Sequence, residues 1–363
     1  MRVGDSGPAG KDGGPSSSHR MLRSRPVAAM NDPEGAAPHH LSVVIPVYRG
    51  EQTLANVVQE IVGLPADWMT AAGERLVVDE ILLVWDRGPD RSDDVIRRLA
   101  AEHGQVRAIW LSRNFGQHAA TLAGMASSGA EWIVTLDEDG QHDIRAAADM
   151  LDVALAQGAA VVYAQPTNTP PHGAFRNAAS RLAKQVVSWI TGSDASRDYQ
   201  SFRLMLGEVG RSVAAYAGSG VYLDVALGWV APRAAVCPVT LRDEGGRPSG
   251  YTVRALLSHF WRLVISSGTR TLRAVSFLGL IVAVVGAIGA LVLIIGVVTG
   301  LADPGVRGWA STMVAILLTS GAALFSLGVI AEYVGAVVNM AMGKPLYLVG
   351  SDPQDGPLGR RRG

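Results

Sequence analysis

The chain has 363 residues, and its 32 basic side chains balance its 32 acidic ones, for a formal net charge of zero. Without a basic stripe, a nucleic-acid partner is not expected. The single cysteine, Cys237, excludes an internal disulfide and a cysteine-rich metal site. The length accommodates one large α/β domain with a smaller appendage.

The N-terminal region, residues 1–40, is rich in Gly, Pro, Ser and His and has no periodic apolar pattern. Such a segment cannot bury enough apolar surface to offset the entropy lost on ordering, so we predict a disordered tail. It also lacks the apolar middle of a signal peptide, and we expect nothing in it to direct the N-terminus across a membrane.

Residues 41–249 alternate between short β-branched runs and amphipathic stretches. The runs predict strands at Leu41–Ile45, Glu80–Val84, Val106–Leu111, Trp132–Leu136 and Ala160–Tyr163, and the stretches predict helices at Gln52–Val62, Ser92–His103, Gln117–Ser127 and Ala146–Gln157. This alternation predicts an α/β fold with a mostly parallel sheet covered on both faces. Ligands of such folds bind at the carboxyl ends of the strands, where we expect the functional residues.

Three of these strand ends carry side chains suited to a nucleotide. Tyr48 offers a ring face for a base, Asp86 can accept hydrogen bonds from ribose or a base edge, and Arg113 can meet a phosphate. Each cluster also has an ordinary structural interpretation. A Pro-aromatic pair often ends a strand, and Asp90 or Ser92 can cap the next helix.

The fourth strand end is acidic, with four carboxylates within seven residues: Asp137, Glu138, Asp139 and Asp143. Carboxylates this close raise one another's pKa values unless a cation is present. A hard divalent ion, Mg²⁺ or Mn²⁺, accepts oxygen ligands and keeps positions open for diphosphate oxygens. Asp137 and Asp139 can both address one ion. A D-x-D pair also occurs by chance in solvated loops, but its position after a buried strand favours a metal site.

Two later stretches carry no charge, residues 274–302 and 308–331, and each exceeds the ~20 residues that a helix needs to cross a bilayer. They predict a transmembrane hairpin over residues 274–333. The pattern of the preceding residues 250–273 indicates an amphipathic helix in the membrane interface, or alternatively a helix packed on the globular domain.

Basic residues flank both predicted spans. Arg262, Arg270 and Arg273 precede the first, while Lys344 and Arg360–Arg362 follow the second. Since basic residues favour the cytoplasmic side, we expect a multi-pass protein of the cytoplasmic membrane with its catalytic domain, both termini and the C-terminal tail (residues 334–363) in the cytoplasm.

Taken together, the motifs resemble the family 2 glycosyltransferases that act on polyprenyl phosphates. The likeness covers Leu41 to about Val349. It rests on the order and spacing of Ile45–Tyr48, Leu111–Gly116, Leu136–His142, Ser201–Leu204, Glu332–Val334 and Lys344–Tyr347. The resemblance implies a GT-A fold and metal-dependent, inverting transfer of a sugar from a nucleotide-sugar donor to a polyprenyl phosphate of the undecaprenyl type in the bilayer, for a cell-envelope glycan. A homo-oligomer is left open.

The resemblance also implies roles for particular residues. It places the donor nucleotide near Pro46, Tyr48 and Asp86, with Arg113 as a further donor contact, and it places the metal and diphosphate at Asp137, Asp139 and Gln141. Asp198 falls at the position proposed for a catalytic carboxylate, and we group it with Asp139. The residues expected to contact the acceptor phosphate are Arg203, Arg242 and Ser249.

The sequence departs from the family pattern at Trp85, Arg49-Gly50, Ser201 and Ala336. Two alternatives therefore remain. A processive polysaccharide synthase would need more spans and a tryptophan-ended Gln-x-x-Arg motif, whereas Leu204 follows Arg203 here. A non-catalytic membrane scaffold or sugar-nucleotide sensor would keep the fold without turnover.

Overall fold

The computed structural model describes residues 37–168, 200–218, 221–231, 234–242, 269–299 and 308–355. Asp198, Ser249 and nearly all of the predicted amphipathic helix lie outside the described residues.

Strands and helices alternate along the described chain. In order, the elements are β1 (His39–Val47), α1 (Leu54–Val62), β2 (Leu76–Trp85), α2 (Ser92–Glu102), β3 (Val106–Leu111), α3 (Gln117–Ser127), β4 (Trp132–Thr135), α4 (Ala146–Gln157), β5 (Val161–Pro166), β6 (Arg203–Leu206), α5 (Gly207–Tyr216), α6 (Leu223–Val230), β7 (Ala234–Val239), α7 (Thr269–Val298), α8 (Trp309–Ala341) and β8 (Val349–Gly350).

The strands form one sheet in the order β7-β5-β6-β4-β1-β2-β3-β8. Parallel pairs join β1 to β2 and β4, β2 to β3, and β5 to β7. Two strands run the other way: β6 is antiparallel to β4 and β5, and β8 is antiparallel to β3. The predicted α/β fold with a mostly parallel sheet is confirmed, and the structure adds these two antiparallel strands.

Helices cover both faces of the sheet. One apolar core joins it to α1, α2 and α4 through residues such as Leu54, Ile96 and Met150. A second core joins the other face to α3, α5 and α6 through residues such as Leu122 and Val213. Strands buried on both faces need continuous apolar runs rather than alternation, which explains the sequence of β1 and of the second half of β2.

The last two helices, α7 and α8, contact each other. Within the part of the chain that the structure describes, one segment, Leu318–Ala341 of α8, is long and apolar enough to cross a bilayer, with a mean hydropathy of 1.8. Only 6% of its apolar window is buried, so it is not a core helix of the globular domain. α8 runs past the predicted boundary at residue 333, and the chain after it returns to the sheet as β8.

Candidate active site

The carboxyl ends of β1, β2, β3 and β4 lie along one edge of the sheet, and the loops after them meet there. Backbone hydrogen bonds continue the ladders into the loops. The N–H of Asp86 donates to the carbonyl of Val47 at 2.8 Å, and the N–H of Leu136 donates to the carbonyl of Val44 at 3.0 Å. The residues that the sequence predicts to bind the nucleotide-sugar donor and the metal ion, at the first four strand ends, are therefore neighbours in space.

Asp86 is buried, with 3% of its surface exposed. Its two carboxylate oxygens accept the backbone N–H groups of Phe115, at 2.7 Å, and Gly116, at 2.8 Å. Burial raises the pKa of Asp86, while the two N–H groups and the charge of Arg113 oppose that rise. Asp86 thus holds the loop that carries the exposed Arg113; its predicted contact with ribose or base stays a prediction.

Glu138 ties the loop after β4 to the loop after β1. Its carboxylate accepts the backbone N–H groups of Tyr48 and Arg49, the latter at 2.8 Å. Burial raises the pKa of Glu138 to about 7, with further contributions from the charges of Asp90 and Asp137, and the two N–H groups act in the opposite direction. Sequence reasoning assigned Glu138 no role of its own, because its partners lie on a distant strand end.

The loop after β2 passes directly over the loop after β1. A Cβ placed on Gly88 would lie 1.6 Å from the carbonyl oxygen of Tyr48, so only glycine fits this approach. The Tyr48 side chain is 40% exposed, and the guanidinium of Arg49 lies 5.6 Å from its ring centroid. A ring held this openly at a strand end can stack on a base.

Asp137 lies at the centre of a polar network. One carboxylate oxygen accepts the side-chain amide of Gln117 at 2.7 Å, the other accepts the hydroxyl of Ser201, and its backbone N–H donates to Nδ1 of His142 at 3.1 Å. The His142 ring stacks on Phe202, with ring centroids 4.9 Å apart. Sequence reasoning missed Gln117, Ser201 and His142 as site residues, although Ser201 and His142 stood inside the motifs it singled out and Gln117 directly follows one of them.

Asp139 and Gln141 form the tip of this loop. The Asp139 carboxylate accepts the Gln141 N–H at 3.0 Å, and the Gln141 carbonyl accepts the N–H of Arg242, also at 3.0 Å. Gly140 between them has a φ of +79°, which gives the loop its tight turn.

The acidic loop fits a hard divalent ion by the chemistry of its donors. Asp137 and Asp139 supply carboxylate oxygens and Gln141 an amide oxygen, which suit Mg²⁺ or Mn²⁺. Among the described residues, no group of three or more His, Cys, Asp or Glu side chains is arranged to hold a metal.

Arg203 is buried in the sheet, with 3% of its surface exposed, and pairs with the equally buried Asp224 of α6. The same Asp224 oxygen accepts the hydroxyl of Tyr163 at 3.1 Å. Burial raises the pKa of Asp224, and the nearby Arg203 charge and Tyr163 oppose this. Nε of Arg203 is buried, and none of the described residues offers it a hydrogen-bond acceptor. The predicted contact of Arg203 with phosphate stays a prediction.

Arg242 lies beside the acidic loop. Its guanidinium pairs with Glu60 at 2.7 Å and Asp143 at 2.9 Å, and these carboxylates raise its pKa. Its backbone bond to Gln141 brings the end of the domain back to the D-x-D loop. Of the residues predicted to bind the acceptor phosphate, Arg242 thus lies at the edge of the site, whereas Arg203 is buried in the sheet. Their hydrogen bonds and ion pairs do not test the predicted contacts with phosphate.

Mostly parallel sheets with an acidic loop after a central strand and an antiparallel strand beside it are typical of GT-A glycosyltransferases, and this domain is of that class. Residues 42–212 match the model of glycosyl transferase family 2. These residues therefore form a family 2 glycosyltransferase domain, as the sequence motifs indicated.

Curated relatives match along nearly the whole chain. The glycosyltransferase YkcC of Bacillus subtilis (strain 168) is 27% identical over 309 residues, covering 85% of this chain and 92% of the relative. The undecaprenyl-phosphate 4-deoxy-4-formamido-L-arabinose transferase of Edwardsiella ictaluri (strain 93-146) is 27% identical, covering 85% and 93%. The enzyme of the same name from Enterobacter sp. (strain 638) is 29% identical, covering 86% and 93%.

Solved structures are similar at lower identity. Glucosyl-3-phosphoglycerate synthase from Mycobacterium tuberculosis, in complex with phosphoglyceric acid, aligns with a TM-score of 0.46 and 18% identity, covering 64% of this chain and 80% of that chain. Mannosyl-3-phosphoglycerate synthase from Rubrobacter xylanophilus aligns with a TM-score of 0.43 and 16% identity, covering 65% and 74%.

Proposed function

We propose that this chain transfers a sugar from a nucleotide-sugar donor to a polyprenyl phosphate of the undecaprenyl type, with inversion at the anomeric carbon, in the synthesis of a cell-envelope glycan. The observation that carries the proposal is structural. The chain that follows the long apolar helix α8 returns to the edge of the sheet, since β8 pairs with β3. There it lies beside the loops after β1, β2, β3 and β4, which we call the donor loops. A lipid acceptor held in the same bilayer as α8 would then be close to the site, and the names of the curated relatives support that acceptor.

In this proposal, α7 and α8 form a transmembrane hairpin, with the catalytic domain (residues 41–249), both termini and the tail on the cytoplasmic side. Residues 250–273 would lie in the interface. The hairpin keeps a poorly soluble substrate at high local concentration, which replaces a search through solution.

Residues of the donor loops would each bind a different part of the nucleotide sugar. Tyr48 stacks on the base, Pro46 near the end of β1 lies close to the nucleotide, and Asp86 and Arg113 bind ribose and diphosphate. Asp137, Asp139 and Gln141 would hold Mg²⁺ or Mn²⁺, which stabilises negative charge on the departing diphosphate. The hydrogen bonds from Gln117 and Ser201 fix the orientation of the Asp137 carboxylate.

The acceptor side needs little proton chemistry. A phosphate monoester already carries negative charge near neutral pH, so a strong general base is not required. Asp198 would orient the acceptor phosphate, and Arg203, Arg242 and Ser249 would offset or bind its charge. The phosphate oxygen forms the new bond to the anomeric carbon while the bond to the diphosphate oxygen breaks.

The test is transfer of radiolabelled sugar into organic-extractable lipid. Full-length protein in detergent is incubated with undecaprenyl phosphate, Mg²⁺ or Mn²⁺, and a panel of labelled UDP-, GDP- and dTDP-sugars. We expect a metal-dependent lipid product that the Asp139→Asn variant does not form, while Glu102→Gln, an exposed change at the end of α2, keeps wild-type turnover. Tight nucleotide binding without product across the panel would instead identify a non-catalytic sugar-nucleotide scaffold.

A further inference from the structure

The chain leaves α8 through a sharp turn. Gly343 has a φ of +63°, a left-handed conformation typical of helix ends, and its N–H donates to the carbonyl of Met340 at 3.0 Å. The N–H of Lys344 donates to the carbonyl of Asn339 at 3.0 Å. The last turn of α8 touches the globular domain, because a Cβ on Gly218 would lie 3.3 Å from the Met340 side chain. Residues 344–355, the C-terminal strap, therefore begin at the surface of the domain.

The first half of the strap lies along the edge of the sheet. Leu346 and Tyr347 pack against the apolar core between the sheet and α3, α5 and α6. The carbonyl of Leu348 accepts the N–H of Ser112 at 2.9 Å, and β8 pairs with the last two residues of β3. The strap thus binds β3 at the point where that strand enters the donor loop.

The second half of the strap is fastened by an ion pair. Arg97 of α2 donates two hydrogen bonds to the Asp352 carboxylate, at 2.8 and 2.9 Å, and its guanidinium lies 5.0 Å from the Trp110 ring centroid. Both side chains are largely shielded, with exposed fractions of 20% and 14%. A bidentate pair of this kind fixes orientation as well as contributing energy. The Gln354 amide adds a bond to Asp94 at 3.2 Å.

The loop of residues 112–116 is consequently held from two sides. Asp86 binds its end, through the N–H groups of Phe115 and Gly116, and the strap binds its start, through the N–H of Ser112. Arg113 lies between these anchors and is exposed. A strap that served only to cover the edge of β3 against strand pairing would need β8 alone, without the Arg97–Asp352 pair or the bond to Ser112.

We propose that the C-terminal strap is a positioning element of the donor site: it fixes the 112–116 loop, and with it Arg113, at the place where the chain returns from α8. This inference rests on the proposed function only in taking a nucleotide-sugar donor as the ligand of the site. The ordering of the loop is a property of the chain itself and can be measured without substrate.

The test compares two shortened chains in detergent. One ends after Gly343 and lacks the strap; its matched control ends after Asp355 and loses only the residues beyond it. By hydrogen exchange, we expect the Phe115 and Gly116 amides to exchange about tenfold faster without the strap, while amides of the central strand β1 keep their protection. Faster exchange at Ser112 and β3 alone, with Phe115 and Gly116 unchanged, would overturn the proposal and leave the strap as an edge cover.

A second variant guards against misfolding of the shortened chain. Asp352→Asn removes the charge of the ion pair, and Asp355→Asn is its control, an exposed change within the strap. We expect about threefold faster exchange at Phe115 and Gly116 in Asp352→Asn only.

With the donor that the panel identifies, KM for the donor should rise about tenfold without the strap while kcat stays within about twofold, as expected when ground-state and transition-state binding weaken equally. A fall in kcat alone would contradict the positioning role, and a panel without product leaves the exchange result to decide.

Discussion

The carboxylate of Glu138 accepts the backbone N–H of Arg49 at 2.8 Å, so a residue between two predicted metal ligands holds the loop after β1. The acidic loop therefore does more than gather charge. One of its carboxylates, that of Glu138, holds the loop that carries Tyr48, and burial raises the pKa of Glu138 to about 7.

The shifted pKa of Glu138 predicts a pH dependence of stability. Since the pKa is raised from 4.5 to about 7, ionising this carboxyl costs more in the folded than in the unfolded protein. Its contribution to the free energy of unfolding is therefore full below pH ~4.5 and is lost as pH rises through about 7. In metal-free buffer we expect the Tm of the wild type to fall over this window, and the Glu138→Gln variant to lose most of the slope.

A bound cation should reverse this effect, because positive charge beside Glu138 favours its ionised form. Saturating Mn²⁺ is therefore expected to flatten the Tm profile of the wild type and to leave that of Glu138→Gln nearly unchanged. Glu102→Gln serves as the control and should follow the wild type. An identical slope in Glu138→Gln and wild type would show that another group causes the pH dependence.

The close approach of Gly88 to Tyr48 predicts a strong effect of one methyl group. Gly88→Ala would place Cβ 1.6 Å from the Tyr48 carbonyl oxygen, so the two loops must separate. We expect a loss of at least about 2 kcal/mol in the free energy of unfolding, together with weaker donor binding. Gly104→Ala is the matched control, since nothing lies within 4 Å of its added Cβ. Equal stability of the two variants would contradict the close contact between the two loops.

The two hydrogen bonds to Asp86 predict the effect of removing its charge. Asp86→Asn keeps one oxygen that can accept a backbone N–H, but it replaces the other oxygen with an amide NH₂ group. That NH₂ group faces the second backbone N–H, so two donors meet and a buried donor is left without a partner. We expect a loss of about 1–3 kcal/mol in unfolding free energy, measured by denaturant titration, and a higher donor KM. Asp67→Asn, at an exposed position, should change neither quantity; wild-type stability in Asp86→Asn would argue against the loop anchor.

The buried Arg203–Asp224 pair predicts non-additive mutations. Asp224→Leu leaves the Arg203 charge buried without its partner and should cost about 3–5 kcal/mol, whereas adding Arg203→Met should recover most of that loss. Thermal unfolding of the two single variants and the double variant measures the coupling. Additive losses would show that the pair does not act as a unit.

The same double variant also tests the role of Arg203 in transfer. If Arg203 binds the acceptor phosphate, the stable double variant will still show a raised KM for undecaprenyl phosphate. A double variant with wild-type stability and wild-type kinetics would limit Arg203 to a structural role.

Several elements could be predicted closely from the sequence. β3, α3 and α4 begin and end at the predicted residues, because each is a periodic run between clear breaks. The region 203–239 was harder. β6 has only four residues, and its place between β4 and β5 depends on antiparallel pairing with strands far away along the chain. No local pattern marks such a pairing.

The candidate site, like the fold, has features that the sequence predicted and features that it did not. The sequence identified the loops after β1, β2, β3 and β4, since strand ends of a parallel sheet meet at one edge. It did not identify the partners of each side chain: Gln117 and Ser201 on Asp137, or Asp224 on Arg203. Those contacts join residues on separate elements, and their distances follow from packing rather than from spacing along the chain.

The sequence by itself thus determined the α/β class, the resemblance of its motifs to family 2 glycosyltransferases, the acidic strand end and the long apolar segment of α8, because each is a property of composition, local periodicity or short motifs. Only the tertiary structure decided which carboxylates hold loops and which remain at the edge of the site, and that residues 344–355 return to β3. Glu138 and Arg49 are 89 positions apart, and Arg97 and Asp352 are 255 apart. Hydrogen bonds of a few ångströms depend on how the sheet and helices pack, which no local pattern of residues specifies.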